Sequence, residues 1–385
     1  MMMILILLIF CMLFCTGCRQ IDVQAVQMGL KPNPYYQEGD TMWDHGDIEE
    51  YYFNQLPSRF NEAYRELYSR LSAGESEADL YAKINTEDFF TAYYSVLYDH
   101  PELFWLDGHV EVMENSFTGN VVSFTAGTSI TPEERESKTR ALEAAADACI
   151  GQIGADWSDY EKIKFVYEYL INTVDYDRSA PDSQNIQSAL LSGKSVCAGY
   201  AKSFQYILHR MGLFCTYVTG SVKQKGDHAW NIVRIGERYY NVDVTWGDPV
   251  FLGEVQSQKR SLMNYNYLCA TDAELEKTHE SRAQVPMPVC DDDSYNYYRR
   301  NGMYYESFDY DTIYGVLMNS VWNGQESVTM KFARAEDYNT AVYELFSNHM
   351  LEDPAAYLME INGRTTWNYS YNHDPEFNLI TIYWY

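Results

Sequence analysis

The segment from residue 195 to residue 212 predicts an amphipathic helix with a cysteine in its first turn. Ser195 stands where an N-cap is expected, and Gly212 stands where a left-handed C-cap would end the helix. Cys197 then lies beside unsatisfied backbone N–H groups at the positive end of the helix dipole, which stabilise a thiolate. The alternative is a small buried cysteine that packs the start of the helix. The apolar residues recur at steps of three and four, the period of a helix with one buried face: Tyr200, Ala201, Phe204, Ile207, Leu208 and Met211.

Two aromatic and β-branched segments downstream, residues 227–233 and 239–246, predict a β-hairpin. If the loop is Ile235-Gly236, or the four residues 234–237, opposed residues have numbers that sum to 471, and His228 faces Asp243. Opposed side chains in an antiparallel pair share a face, with about 5 Å between their Cβ atoms. This register therefore sets an imidazole beside a carboxylate, which is what a general base needs from the group that orients it.

These residues resemble the core of the transglutaminase-like superfamily, in its bacterial branch related to papain-type cysteine proteases. The resemblance covers roughly residues 150–250, about a quarter of the chain. It implies that Cys197 is the nucleophile, that His228 is the base and that Asp243 orients the base. The superfamily includes transglutaminases, peptidases, deamidases and members without activity. Three motifs carry the resemblance: Ser-Val-Cys-Ala-Gly-Tyr-Ala at 195–201, Asp-His-Ala-Trp-Asn at 227–231 and Tyr-Tyr-Asn-Val-Asp-Val-Thr-Trp-Gly-Asp-Pro at 239–249.

The fold that this resemblance implies is α+β, with a papain-like or transglutaminase-like core in which the nucleophile helix packs on an antiparallel sheet. A chain of 385 residues exceeds one ordinary domain. We predict a mainly helical N-terminal region with two strands over residues 46–130 and a transglutaminase-like catalytic domain over 131–290. A small α+β C-terminal domain follows over 291–385. It carries no catalytic motif, and an inhibitor-like or structural role for it stays open.

The N-terminus resembles a bacterial lipoprotein leader. Residues 1–17 are an uncharged apolar run, shorter than a membrane span of about 20 residues, and suit an export signal peptide. Thr16-Gly17-Cys18 resembles a lipobox, although Cys15 replaces the usual Leu and no basic residue precedes the run. The resemblance implies lipid attachment at Cys18, a lipid-anchored linker over residues 18–45, and an exported protein anchored to the extracytoplasmic side of the cell membrane. A cleaved secretory signal or a short uncleaved anchor is the alternative.

Charge and cysteine content limit the partners. A formal net charge of −27 argues against nucleic acid as a partner, because nucleic-acid binding needs basic surface. No Cys or His cluster has zinc-ligand spacing, so we expect neither a metal nor another cofactor. The cysteines that follow Cys18 suit one reactive thiol with zero, one or two disulfides. They are Cys149, Cys197, Cys215, Cys269 and Cys290.

The predicted chemistry is attack of the Cys197 thiolate on an amide carbonyl to form a thioester. Water would then give hydrolysis, as in a cysteine peptidase or amidase, and a primary amine would give transamidation, as in a protein-glutamine transamidase. We favour hydrolysis of a protein or peptide substrate, including one linked to the cell wall. The alternative from another class is an inactive binding or scaffold lipoprotein. Two points stay open: whether Gln187 joins the Cys197 N–H as an oxyanion donor, and whether Trp230 and Trp246 line a substrate tunnel or pack the core.

Overall fold

The computed structural model describes residues 22–36, 49–223, 226–249, 263–361 and 369–385. The predicted signal peptide and Cys18 lie outside these residues. The chain forms two compact units: the first runs to Asn264 and includes Thr278–Cys290, and the second consists of Tyr265–Lys277 and Asp291–Tyr385. The predicted regions 46–130 and 131–290 thus share one unit, except that Tyr265–Lys277 belong to the second unit. Among the described ranges, no helix has the length and apolar character needed to cross a membrane.

The first unit begins with helices packed against a small antiparallel sheet. The helices are α1 (Tyr51–Gln55), α2 (Asn61–Ala73) and α3 (Thr86–Asp99). The strands are β1 (Glu77–Asp79), β2 (Leu106–Glu114) and β3 (Val121–Thr128), in the order β1-β3-β2. Large aromatic side chains fill the core between them because the apolar faces of the helices meet the sheet. The fully buried ones are Tyr52, Tyr64, Phe89, Tyr93 and Phe124.

Three further helices precede the predicted nucleophile, and a fourth carries it. They are α4 (Pro132–Ile150), α5 (Asp159–Thr173), α6 (Ile186–Ser192) and α7 (Cys197–Arg210). Thr131 and Ser158 form capping boxes with Glu134 and Glu161, which satisfy the first backbone N–H groups of α4 and α5. A parallel pair, β4 (Asp175–Tyr176) and β5 (Lys194–Ser195), brings the chain to the start of α7. The helix start therefore has a defined position.

The sheet behind α7 is antiparallel. It includes β6 (Cys215–Val222), β7 (Gly226–Ile235), β8 (Arg238–Val242) and β9 (His279–Ser281), in the order β9-β6-β7-β8. A short helix, α8 (Val244–Gly247), follows β8 directly. Helix α7 packs against β6 and β7. The predicted α+β core, with the cysteine-bearing helix on an antiparallel sheet, is confirmed.

The register of the β7–β8 hairpin differs from the prediction. Asn231 pairs with Val242 and Arg234 pairs with Tyr239, so paired numbers sum to 473 and the predicted sum of 471 is wrong. The hairpin turns at Gly236-Glu237, where Gly236 has a φ of 61°, a conformation that favours glycine. A shift of two residues leaves every side chain on its face of the sheet. His228 and Asp243 therefore still lie on the same face.

The second unit is α+β. Its helices are α9 (Asp272–Leu275), α10 (Tyr297–Arg300), α11 (Tyr310–Trp322), α12 (Ala335–Phe346) and α13 (Glu352–Ile361). Its sheet contains β10 (Tyr304–Tyr305), β11 (Ser327–Phe332), β12 (Tyr369–Asp374) and β13 (Leu379–Trp384), in the order β10-β11-β13-β12. A core that includes Ile313, Leu317, Met330 and Ile380 joins helices to sheet.

Candidate active site

Cys197 occupies the first position of α7, as its place in a first turn predicted. Val196 is the N-cap and offers no side-chain cap, so the prediction of Ser195 as the N-cap is wrong. The Ser195 hydroxyl instead lies 2.6 Å from the Ser188 hydroxyl and donates to the Ser183 carbonyl oxygen at 3.0 Å. These bonds fix the segment that precedes the cysteine. Because no side chain caps the helix, its first N–H groups stay available at the sulfur end.

Gly199 allows the loop before α6 to lie directly against the start of α7. A Cβ atom at this position would lie 1.9 Å from the Ser195 Oγ and 2.8 Å from the Ser183 carbonyl oxygen. Both contacts are far inside van der Waals distance, so only glycine fits without displacement of the backbone. The glycine of the Ser-Val-Cys-Ala-Gly motif thus positions the cysteine through packing.

Cys197 is the accessible thiol among the described cysteines. It is partly exposed, whereas Cys149, Cys215, Cys269 and Cys290 are buried, and the described residues form no disulfide. Burial in apolar surroundings raises the pKa of the Cys149 thiol to about 12 and the pKa of the Cys215 thiol well above its usual value. Buried thiols of this kind are inert packing groups. One partly exposed thiol among the five described cysteines is therefore what the structure shows, and the reactivity of Cys197 stays a prediction.

His228 and Asp243 form a buried pair. The distance from His228 Nε2 to Asp243 Oδ2 is 2.6 Å, and the two residues are 8% and 0% exposed. Asp243 follows the last residue of β8 and is the N-cap of α8, where its Oδ1 accepts the Trp246 backbone N–H at 3.1 Å. The pair therefore forms diagonally across the hairpin and not by direct opposition. An ionised carboxylate only accepts hydrogen bonds, so His228 Nε2 carries the proton.

The Cys197 sulfur and the His228 imidazole interact electrostatically, and this interaction favours the charged form of the imidazole. Since Nε2 is committed to Asp243, Nδ1 is the ring nitrogen left for the sulfur. The structure thus brings together all three residues of the predicted triad. The sequence order is cysteine, histidine and aspartate, and the spatial order is sulfur, imidazole and carboxylate.

The electrostatics of the pair favour a charged imidazole. Burial alone would lower the pKa of His228, but the Asp243 carboxylate and, after it, the Cys197 sulfur outweigh burial and raise that pKa to about 10. Burial would also raise the pKa of Asp243, yet its pairing with His228 and with His279 lowers it. At neutral pH the pair is therefore a carboxylate that holds a charged imidazole near the Cys197 sulfur.

His279 is a site residue that the sequence analysis missed. It lies on β9, is 2% exposed, and its Nε2 is 2.9 Å from the same Asp243 Oδ2 that binds His228. Its Nδ1 lies 2.7 Å from the Thr278 hydroxyl. Strand β9 pairs with β6, with Ser281 opposite Gly220, and this pairing brings His279 to the edge of the site. Asp243 thus accepts two imidazole N–H groups on one oxygen.

The cluster of His228, Asp243 and His279 also has the residue types of a metal site, with candidate ligand atoms within 4.8 Å of one another. The two nitrogen–oxygen distances, 2.6 and 2.9 Å, are those of charge-assisted hydrogen bonds. Tetrahedral zinc with bonds of about 2.0 Å holds its ligand atoms about 3.3 Å apart. The side chains are spaced for protons and not for zinc. The expectation that no metal is needed stays a prediction.

The structure places the side chains whose roles were left open. Trp230 is 2% exposed and its indole N–H donates to Asn241 Oδ1 at 3.2 Å, so it packs in the core. Trp246 is partly exposed, and its ring centroid lies 5.3 Å from that of His279. Gln187 is buried, and its side-chain amide donates to the Phe104 carbonyl oxygen at 3.4 Å. Trp246 thus lies beside His279, whereas Gln187 is anchored to the N-terminal region.

Comparisons with known proteins match one segment of this chain. Residues 147–244 match the family model of the transglutaminase-like superfamily. Over 106 residues, the chain is 30% identical to the kyphoscoliosis peptidase of Mus musculus and 29% identical to that of Homo sapiens. These alignments cover 23% of this chain and 16% of each relative. The chain therefore spans about a sixth of the length of the curated relatives that it matches.

Two solved structures are similar to this chain at low TM-scores. One is a TGase, with a TM-score of 0.26 and 14% identity over 36% of this chain and 44% of that chain. The other is a candidate cysteine protease from Cytophaga hutchinsonii, with a TM-score of 0.25 and 12% identity over 47% of this chain and 78% of that chain. Likenesses at this level carry no inference about activity.

The fold and the family match define a mixed α/β protein that contains a transglutaminase-like domain. This domain is distantly homologous to transglutaminase-like proteins. Its matched segment, residues 147–244, includes Cys197, His228 and Asp243.

Proposed function

We propose that the protein is a thiol enzyme that attacks amide bonds through a thioester on Cys197, with hydrolysis as the favoured outcome. The observation that carries this proposal is the buried pair of His228 and Asp243, 2.6 Å apart, beside the one partly exposed thiol of the described residues. A cysteine kept only for packing needs no buried imidazole–carboxylate pair beside it, because burying such charges is costly.

The proposed reaction begins with an ion pair of the Cys197 thiolate and the His228 imidazolium. The sulfur attacks the carbonyl carbon of an amide, and the oxyanion faces the backbone N–H groups at the start of α7. His228 gives its proton to the departing amine as the carbon–nitrogen bond breaks, which leaves a thioester on Cys197. Water, activated by the now neutral imidazole, then attacks the thioester and releases a carboxylic acid and the free thiol. Asp243 holds the ring throughout.

Transamidation shares the first half of this reaction and differs only in the second nucleophile. A library of peptides incubated with the protein, with and without a primary amine, distinguishes the two outcomes by mass spectrometry. The proposal predicts cleaved or deamidated peptides in both samples, lost in Cys197→Ala. Amine incorporation in place of hydrolysis would assign transamidase activity. Unchanged peptides, with no thioester on Cys197 after acid quench, would favour an inactive binding or scaffold protein.

We also propose that the protein is exported and anchored by lipid at Cys18, so that its substrate is a protein or peptide outside the cytoplasm, including one attached to the cell wall. The apolar run of residues 1–17, which ends in Thr16-Gly17 directly before Cys18, supports this proposal. Labelled palmitate should enter the wild-type protein and not Cys18→Ala. A mature protein that stays in the aqueous phase of a detergent partition and takes up no palmitate would refute the anchor.

A further inference from the structure

Tyr200 ties the helix that bears Cys197 to the short helix that follows Asp243. It lies three residues after Cys197 on α7, so the two residues are neighbours on the helix surface. The Tyr200 hydroxyl donates to Asp248 Oδ2 at 2.9 Å and to the Val174 carbonyl oxygen at 2.8 Å. Tyr200, Asp248 and Val174 are all fully buried. This hydroxyl thus joins three segments: α7, the end of α5 and the end of α8.

Helix α8 is a single turn with a carboxyl group at each end. Asp243 is its N-cap and accepts the Trp246 backbone N–H, as described above. Asp248 is its C-cap, and the Asp248 backbone N–H donates to the Thr245 carbonyl oxygen at 3.2 Å. The Gly247 N–H donates to the Asp243 carbonyl oxygen at 3.1 Å. Because these bonds hold the turn together, a contact that fixes Asp248 also limits the movement of Asp243.

Close packing against α5 fixes α8 at a second point. A Cβ atom at Gly247 would overlap the Tyr167 hydroxyl oxygen and would lie 2.8 Å from Ile171 Cδ1. The Tyr167 hydroxyl is itself held, because it donates to the Asn264 carbonyl oxygen at 2.6 Å. The backbone of α8 therefore cannot move closer to α5 at this glycine. The hydrogen bond from Tyr200 is what resists its movement away from α7.

The bond between Tyr200 and Asp248 gives direction as well as contact. A buried carboxyl group costs free energy, and apolar side chains of similar volume often replace buried polar pairs without a loss of stability. An apolar pair would fill the same space, but it would lack the short, directional geometry of a hydrogen bond. Helices α7 and α8 also meet through the imidazole that Asp243 holds near the sulfur. Two connections between the same two helices restrict their rotation as well as their separation.

We propose that Tyr200 and Asp248 are positioning residues of the candidate active site. Their hydrogen bond keeps α8 in place against α7, and Asp243 at the start of α8 then keeps the His228 imidazole near the sulfur. Both residues act through Asp243. The consequence for thiol reactivity rests on the proposed function, whereas the placement of His228 by Asp243 can be measured whether or not the sulfur is reactive.

Tyr200→Phe in the full chain removes the hydroxyl and keeps the ring. The pKa of His228, about 10 in the wild type, should fall in this variant because Asp243 is held less firmly beside the imidazole. Imidazole NMR signals followed against pH measure this change. Alkylation of Cys197 by iodoacetamide at pH 6 should slow at least about threefold, because a less firmly held imidazolium stabilises less of the thiolate.

Variants of Asp248 test the other end of the bond. Asp248→Asn keeps an oxygen that can accept the Tyr200 proton, so it should retain most of the wild-type behaviour. Asp248→Leu removes the acceptor and should lower the pKa of His228 at least as far as Tyr200→Phe does. Residues that act through one shared bond are not additive, so the double variant should lose no more than Asp248→Leu alone. If Tyr200→Phe does not fold, Asp248→Leu is read in its place.

Tyr64→Phe is the matched control. The Tyr64 hydroxyl donates to the buried Asp99 Oδ2 at 2.8 Å, in the N-terminal core of the same unit. This variant therefore removes the same kind of buried bond, and urea titrations should show a similar loss in the free energy of unfolding for both Phe variants. The pKa of His228 and the alkylation rate should keep their wild-type values in Tyr64→Phe. A merely structural role for Tyr200 predicts that the two variants behave alike in all three measurements.

A wild-type pKa of His228 in Tyr200→Phe, or a change no larger than in Tyr64→Phe, would overturn the inference. If Cys197 is activated in the wild type, that result would leave the proposed function standing. A lowered pKa of His228 in a protein whose Cys197 reacts as an ordinary thiol would support the positioning role and refute the enzyme.

Discussion

Asp243 Oδ2 accepts a hydrogen bond from His279 Nε2 at 2.9 Å, on the same oxygen that binds His228. The second bond withdraws part of the negative charge that Asp243 presents to His228. It also fixes the plane of the carboxylate, because Oδ1 is held by the Trp246 backbone N–H. His279 is thus a positioning residue that acts through Asp243 on the imidazole beside the sulfur.

Replacement of His279 should change the pH dependence of the site more than its fold. In His279→Ala, Asp243 presents its full charge to His228, so the pKa of His228 should rise and the upper limb of the alkylation profile should move to higher pH. We expect kcat/KM for amide cleavage to fall by about tenfold, because the Asp243 carboxylate loses one of the hydrogen bonds that hold it in place. In His279→Gln, the amide nitrogen can replace Nε2 as donor, and this variant should recover most of the rate. Equal pH profiles of alkylation for the wild type and His279→Ala would show that His279 does not act on His228 through Asp243.

Asp243→Asn should inactivate the site while it keeps the volume of the side chain. An amide beside His228 Nε2 no longer enforces the tautomer that presents Nδ1 to the sulfur. The loss in kcat/KM should be roughly 10³- to 10⁴-fold, as for the equivalent change in a serine triad. The pKa of His228 should fall, because its buried anion is gone, and imidazole NMR signals followed against pH would report it. An Asp243→Asn variant with normal turnover would contradict the assigned role of the carboxylate.

A methyl group at position 199 should disturb the start of α7. Gly199→Ala places its Cβ against the Ser195 hydroxyl and the Ser183 carbonyl, and overpacking of this kind costs about 1–3 kcal/mol. Gly315→Ala in α11 is the matched control, since nothing lies within 4 Å of a Cβ there. That change should stabilise its helix by about 0.5–1 kcal/mol. Urea unfolding, monitored by hydrogen exchange in peptides from each unit, separates the two effects.

The free energy of unfolding of the first unit should fall as the pH rises from 6.5 to about 10, because His100 loses its proton in this range. Burial would lower the pKa of this imidazole, but Glu102 and Glu50 raise it to about 10, from 6.5 in a free chain. A histidine whose pKa is raised by folding stabilises fully below pH 6.5, and its contribution is lost as the pH rises through 10.

Across this window the free energy of unfolding should therefore fall by roughly 2–4 kcal/mol less in His100→Gln than in the wild type. This value follows from about 1.4 kcal/mol per pKa unit, reduced by some solvent screening at Glu102. His228 has a pKa raised to about 10 and acts in the same window, so His228→Gln is the comparison variant. The free energy of unfolding from urea titrations at several pH values measures both. A His100→Gln curve parallel to the wild type would show that the Glu50–His100–Glu102 network carries no linked stability.

The sequence predicted the face of the hairpin correctly and its register wrongly. Alternation of side chains has a period of two, so it determines which residues share a face but not which residues pair. The pairing depends on the turn, and a two-residue turn at Gly236-Glu237 has the backbone twist that hairpins prefer. His228 and Asp243 meet in spite of this error because a shift of two residues turns an opposed pair into a diagonal one.

Other features lay beyond sequence reasoning because they depend on long-range contacts. His279 is 36 residues from Asp243 and stands in a three-residue strand, too short for a periodic signal. Ser195 has the residue type of an N-cap, yet Ser188 and Ser183 compete for its hydroxyl, so Val196 takes that place. The motif around Cys197, by contrast, is local, and its first-turn position could be predicted.

The strongest test of an activated Cys197 is its alkylation by iodoacetamide, measured by mass spectrometry from pH 5 to pH 9. If the His228 imidazolium stabilises a thiolate, Cys197 should react rapidly well below pH 8, and His228→Ala should slow that reaction at least about tenfold at pH 6. The buried Cys149 and Cys215 should stay unmodified in the folded protein and serve as internal controls. An alkylation rate that rises only near pH 8.5, about the pKa of an ordinary thiol, and is the same in His228→Ala would show that His228 does not activate Cys197.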